Sequence, residues 1–141
     1  MTMDIRQYES RDEESVVRLW TECGLVVPWN NPRRDIQRKL KVQADMFLVA
    51  YLDNEVIATV MAGYDGHRGW INYLAVSPHH QRAGIGRRMM EEAEALLRVA
   101  GCPKINLQVR STNAAVIEFY KRIGFKIDDV VSFGKRLEPD E

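Results

Sequence analysis

Val76-Ser77-Pro78-His79-His80-Gln81-Arg82-Ala83-Gly84-Ile85-Gly86-Arg87-Arg88-Met89-Met90 is the stretch on which the fold turns. The apolar run that leads into it, Tyr73-Leu74-Ala75-Val76, predicts a strand. Behind it, Ile85, Met89, Ala93, Leu96, Leu97 and Ala100 recur at helical spacing and predict a helix. A strand, a glycine-bearing turn and a helix N-terminus leave backbone N–H groups without partners at the positive end of a helix dipole. Such a place suits a phosphate or pyrophosphate. Gly84 and Gly86 carry no Cβ, so the backbone there can approach an anion closely. Taken alone, the pattern fits a plain loop equally well. Two phosphate loops are excluded. A P-loop needs Lys-Ser/Thr after its last glycine, where this chain has Arg87-Arg88. A dinucleotide fingerprint needs a small residue at position 89, which is Met.

The surroundings bound the reading. The chain has 141 residues, enough for one domain, residues 1–141, with its own core. Lys plus Arg and Asp plus Glu each total 20, which argues against a general nucleic-acid binder. The N-terminus carries Asp4, Arg6, Glu9 and Arg11 rather than a leader-like apolar run, and no stretch approaches a membrane span. A cytoplasmic protein is expected, with neither nucleic acid nor membrane as partner. Cys23 and Cys102 lack metal-site spacing, and no metal is expected.

Outward from the central stretch, the elements follow in order. Met3 to Tyr8 predicts a short strand. Ser10-Arg11-Asp12-Glu13 matches a capping box for a helix through Val16, Val17, Leu19 and Trp20 that stops at Gly24. Asn31 and Pro32 predict the cap and first residue of a second, basic helix, Arg33 to about Val42. Its cations form either a solvated face or an electrostatic guide for an acidic partner. Strands are predicted at Met46–Leu52, Val56–Tyr64 and Trp70–Val76, joined by turns at Asp53-Asn54-Glu55 and Asp65-Gly66-His67-Arg68-Gly69. The helix after the loop stops at Gly101, with Pro103 beyond. Lys104 to Arg110 alternates as a strand. Ser111-Thr112-Asn113 caps a helix that ends at Gly124, and Phe125–Val131 with Ser132–Leu137 predicts a closing pair of strands. Hairpins joined to crossover helices imply a mixed α/β fold, with helices on both faces of the sheet. The helix from Ile85 to Ala100 must join two parallel neighbours.

Two motifs carry a resemblance. Gln81-Arg82-Ala83-Gly84-Ile85-Gly86 fits Q/R-x-x-G-x-G/A. Asn113-Ala114-Ala115-Val116-Ile117-Glu118-Phe119-Tyr120-Lys121-Arg122-Ile123-Gly124-Phe125 fits N-x-x-A/V-x-x-x-Y-x-x-x-G-F. In this order, one strand apart, they resemble the GCN5-related N-acetyltransferases (GNAT). Pro28-Trp29-Asn30 and Gly63-Tyr64-Asp65-Gly66-His67-Arg68-Gly69 are similar to small bacterial members of the YpeA type. The resemblance implies a mixed, mostly antiparallel sheet of about six to seven strands with a splayed parallel pair. It implies acetyl-CoA as cosubstrate and an amine as acceptor, with a homodimer as the open option for assembly. The backbone of Leu74, Ala75 and Val76 would bind the pantetheine arm. The N–H groups of Gln81, Arg82, Ala83, Gly84, Ile85, Gly86 and Arg87 would hold the pyrophosphate. Asn113 would contact the pantetheine, and Tyr120 would act as general acid toward the leaving thiolate. Val27-Pro28-Trp29-Asn30-Asn31 would belong to the acceptor loop, with Trp29 as an apolar wall.

The chain departs from the family at the general base. In the ribosomal-protein alanine acetyltransferases a Glu on the strand after the long helix serves, and alignment puts Gln108 there. Glutamine cannot accept the amine's proton. An imidazole can take up a proton near neutral pH, and His67, in the turn before Trp70, is the candidate base. Cys23 and Cys102 are poorer candidates for a covalent route than direct transfer in a ternary complex. The alternative reading is a non-catalytic acyl-CoA sensor on the same fold.

Overall fold

A computed structural model describes residues 3–140. Its sheet contains β1 (Asp4–Gln7), β2 (Phe47–Leu52), β3 (Glu55–Tyr64), β4 (Gly69–Val76) and β5 (Ile105–Leu107), ordered β1-β2-β3-β4-β5. The first four strands pair antiparallel and β5 pairs parallel to β4. The helices are α1 (Glu13–Glu22), α2 (Pro32–Lys39), α3 (Ile85–Val99) and α4 (Ala114–Arg122). The crossover expected of the long helix is present: α3 links the parallel pair. No helix among the described residues is long and apolar enough to cross a membrane.

The two faces of the sheet build two cores. On one, Val16, Leu19 and Trp20 of α1 and Ile36 of α2 pack with Phe47, Val49, Met61 and Ala75. On the other, Met89, Met90, Ala93 and Leu97 of α3 and Tyr120 of α4 pack with Leu48, Ile57, Val60 and Ile71. Alternate strand residues feed opposite cores, as a pleated strand requires. Each large side chain so buried contributes about 1.5–3 kcal/mol.

Several expected boundaries shift, each for a local reason. The start of α1 is organised around Asp12 rather than Ser10. Its carboxylate accepts from the Glu9 N–H (2.8 Å), from Arg6 (2.8 and 3.0 Å) and from the Tyr51 hydroxyl (2.9 Å). This ties β1, the first turn and β2 together. Asn31 caps α2 as expected, accepting from the N–H groups of Arg33 and Arg34, but the helix ends at Lys39. Two of its four cations are ion-paired: Arg33 with Glu13 and Glu14, and Arg38 with Asp35 and Asp140.

The largest correction concerns the strand count. Five strands are present among the described residues, against the six to seven expected. Neither Phe125–Val131 nor Ser132–Leu137 forms a strand. Their alternation supplies strand character but no partner edge. Side chains hold the segment instead: Lys104 pairs with Asp128 at 2.9 Å, Gln108 donates to Ser132 Oγ, and Arg136 donates to Asn30 Oδ1 at 2.8 Å. The strand at Lys104–Arg110 likewise shortens to Ile105–Leu107, because it has a ladder partner only there.

Candidate active site

The parallel pair is zipped at one end only. Gly69, Trp70 and Ile71 pair with Ile105, Asn106 and Leu107, and the ladder then stops. The remaining residues of β4, Asn72 to Val76, have β3 on one side and no strand on the other. A gap therefore opens toward the β4–α3 loop.

A bulge shapes β4 where it faces this gap. The register against β3 slips between Thr59 and Met61, and Tyr73 adopts φ +51°, a left-handed conformation unusual for a non-glycine residue. A buried relay pins it. The Trp20 indole N–H donates to Thr59 Oγ1 (2.9 Å), so the Thr59 hydroxyl donates its own proton to the Tyr73 carbonyl (2.9 Å). The Tyr73 ring stacks on Trp20 with centroids 3.8 Å apart, and its hydroxyl donates to Asp35 at 2.6 Å. Burial, then the bond to the Asp35 carboxylate, pushes the Tyr73 phenol well up.

Beyond the bulge, the Ser77 N–H donates to Ile57 O at 2.7 Å, and Val76 lies opposite Ala58. The alternation of an antiparallel ladder then turns the N–H and C=O of Val76 away from β3, toward the gap. That carbonyl accepts from the Cys23 thiol at 3.3 Å and from Gln81 Nε2 at 3.2 Å. Burial pushes the Cys23 thiol up, which opposes a thiolate role.

The loop that follows is open to solvent from Gln81 to Gly84. Arg82 and Gly84 are both left-handed, with φ +67° and +75°. Such turns gather successive N–H groups on one side. No side chain caps α3, and its first bond back along the chain is from Arg88 N–H to Gly84 O. The N–H groups of Ile85, Gly86 and Arg87 thus lack acceptors at the helix start. Their donor set fits a pyrophosphate. The two glycines serve different ends. Gly84 is needed for its φ, since a Cβ there would meet nothing within 4 Å. Gly86 is needed for packing, since a Cβ would lie 3.2 Å from Phe119 Cζ. The guanidinium groups at the start of α3 are engaged along the helix, Arg87 with Glu91 and Arg88 with Glu92.

Asn113 caps α4, its Oδ1 accepting from the Val116 N–H at 3.4 Å. Tyr120 is 9% exposed and sits edge-on between Phe119 and Phe125. Burial pushes its phenol up to about 12. It lines a groove of about 1500 Å³ bounded by β5, α4 and residues 125–132. This groove lies on the outer side of β5, away from the β4–α3 loop.

The β3–β4 turn falls between Tyr64 and Gly69, at the place expected of it. His67 is exposed in it, ahead of the zipped rungs. Five residues of extended chain, roughly 16 Å, separate it from Asn72, where the strands part. Asp65 is consumed by the turn itself, accepting from the N–H groups of His67 (2.8 Å) and Arg68 (2.7 Å). Gln108 is exposed and bonded to Ser132. Trp29, 51% exposed, receives the Arg110 guanidinium over its ring at 5.2 Å, so the α1–α2 loop meets the open end of β5. Thr59, Trp20 and Arg110 were not legible as site residues. Thr59 sits in an apolar run as any β-branched residue would, and only the slipped register gives it a task.

The family model described as Acetyltransferase (GNAT) family matches residues 7–125. Among solved structures, the chain is similar to Ard1 from Thermoplasma volcanium, with 26% identity, TM-score 0.79, and coverage of 91% of this chain and 85% of that one. It is similar to the PaiA N-acetyltransferase of Thermoplasma acidophilum in complex with coenzyme A, with 21% identity, TM-score 0.79, and coverage of 93% and 94%. The ribosomal-protein-S18-alanine N-acetyltransferase of Escherichia coli shares the fold at 22% identity and TM-score 0.73, with coverage of 89% and 78%.

Proposed function

This chain belongs to the acetyltransferase (GNAT) family, and from that premise we propose that it transfers an acetyl group from acetyl-CoA to a primary amine by direct attack in a ternary complex. The observation that carries the reading is the half-zipped pair: three rungs from Gly69 to Ile71, then a gap floored by β4 backbone. Acetyl-CoA supplies the activated acyl group. The uncapped N–H groups from Gln81 to Arg87 would hold its pyrophosphate, and the gap-facing backbone of Leu74 to Val76 its pantetheine arm, with Asn113 alongside.

An N–H of β4 beyond Ile71 would stabilise the charge that develops on the carbonyl oxygen. Tyr120, protonated throughout the neutral range, would give its proton to the departing sulfur. A positioned acid of this kind is worth about 10²–10⁴-fold. The distance of His67 from the gap favours proton removal by water, with His67 kept as the side-chain candidate. Trp29 and Arg110 would form one wall of the acceptor site.

The test is a melt followed by a thiol assay. Acetyl-CoA at a hundredfold excess over Kd should add roughly 2.7 kcal/mol, on the order of several degrees, and ATP should add nothing. An amine panel should then release free CoA. A shift with ATP but none with acetyl-CoA overturns the coenzyme assignment. Binding without thiol release from any amine, peptide or polyamine overturns the transfer.

A further inference from the structure

We propose that the proton given up by the acceptor amine leaves the gap through the Tyr73 hydroxyl to the Asp35 carboxylate. The inference rests on the transfer reading above and says where the water that strips the amine discharges. It starts from the parity of β4. Side chains of a strand alternate between its faces, so Ile71, Tyr73 and Ala75 would share one face of a regular strand. They do not. Ile71 packs in the core shared with α3, whereas Tyr73 and Ala75 pack in the core shared with α1. The bulge supplies the odd residue that changes the face. A left-handed φ at a non-glycine residue is strain that its surroundings must hold, and here Trp20 and Thr59 hold it. The strain delivers one phenol to the α1–α2 side of the sheet, on the residue next to Leu74.

That neighbour matters. The Ser77 N–H donates to Ile57 O across the ladder, and Ala75 lies opposite Thr59. Ladder bonds alternate, so Leu74, like Val76, turns its N–H toward the gap. A thioester oxygen held there puts the attacked carbon beside Tyr73. Trp29 meets Arg110 at the open end of β5, and the loop that carries Trp29 runs directly into α2 and Asp35. The Tyr73 hydroxyl donates to Asp35 Oδ2 at 2.6 Å, and Arg38 donates to Asp35 Oδ1 at 3.0 Å. The carboxylate thus has a cation behind it and a phenol in front. Its side chain keeps 24% of its surface in solvent, so it can pass a proton on. Burial and the Asp35 bond keep Tyr73 protonated through the neutral range, so it relays rather than acts as a base. The step balances. The amine nitrogen bonds the acetyl carbon, and the carbon–sulfur bond breaks. The nitrogen loses a proton to the water, the water gives one to the Tyr73 oxygen, and Tyr73 gives its own to Asp35. The sulfur takes the Tyr120 proton. Asp35 then returns its proton to solvent, and Tyr120 regains one from solvent.

The test uses the amine of the panel that releases CoA fastest, in single-turnover mixing with acetyl-CoA. Tyr73→Phe and Asp35→Asn should each lower the single-turnover rate by about 10²-fold, with the acetyl-CoA dissociation constant held within about twofold. The double variant should lose no more than either alone, because members of one path act as a unit. In Asp35→Ala, added formate should raise the rate, a small carboxylate standing where the side chain stood, and it should leave Tyr73→Phe unmoved. Single variants with the parent's rate overturn the relay, as do losses that multiply in the double variant. So does an Asp35→Ala protein that ignores formate, which would mean that Asp35 serves the fold. Should the Asp35 variants fail to fold, Tyr73→Phe, whose ring can still stack on Trp20, decides. The two readings fail differently. A parent that releases no CoA with any amine overturns the transfer and the relay with it, whereas an active parent with unmoved variants overturns the relay alone.

Discussion

Tyr120 is protonated at every pH at which the fold is ordinarily handled, because burial lifts its phenol to about 12. An acid must carry its proton to act. The acid form is therefore full at neutrality and is lost only as pH rises toward that value. Under the proposed mechanism, kcat should hold its plateau past the ordinary tyrosine range near 10. A pH–rate profile that falls between 9 and 10 with chemistry rate-limiting removes Tyr120 from the role. Tyr120→Phe should lower kcat by about 10²-fold or more while leaving the acetyl-CoA dissociation constant within about twofold by calorimetry. The two motifs around Gly84 and Tyr120 made these residues legible, since fixed spacing on a helix and a loop survives in sequence. Thr59 and Arg110 were illegible. Their tasks depend on which strand lies opposite, and pairing is not a local property.

At the scale of elements, β4 depends on a bulge that residues of three other segments hold in place. Thr59→Val removes the acceptor of the Trp20 indole and the donor to the Tyr73 carbonyl in one step. Two buried polar groups are left unpaired, at about 1–3 kcal/mol each. Urea unfolding should show a loss of roughly 2–6 kcal/mol, and Thr59→Ser should recover most of it. Recovery absent in the serine variant would mean that methyl packing, not the relay, fixes Tyr73. The helices and hairpins followed from caps and turn residues: Asn31 and Pro32, the paired left-handed Asp53 and Asn54, and Gly101 as a stop. The closing strands did not follow. Residues 125–137 have strand alternation, yet a strand exists only where an edge accepts it.

At the scale of the whole molecule, Asp12 ties β1, the turn after it and β2 together. Burial acts to raise its carboxyl, and the bonds from Arg6, the Glu9 N–H and Tyr51 more than offset this, so it lies below the ordinary value. A folded-state value below the unfolded one gives stability that is complete above about pH 4 and is lost as pH falls through the folded value. Asp140, lowered to about 2 chiefly by Arg38, adds in the same direction. Asp12→Asn should cost about 1.5–3 kcal/mol at pH 7, and its stability should decline less steeply than the parent's from pH 4 to pH 2. Parallel curves in urea titrations over that range would exclude Asp12 as a source of acid sensitivity. The half-zipped pair also bears on how the protein keeps in solution. Any sheet margin with bare donors and acceptors can recruit a stranger's main chain, and here one such margin lies inside the sheet, where only the pantetheine arm would plug it. Preparations stripped of coenzyme should therefore cloud sooner on storage than saturated ones, and turbidity followed over days, with and without added acetyl-CoA, measures the difference.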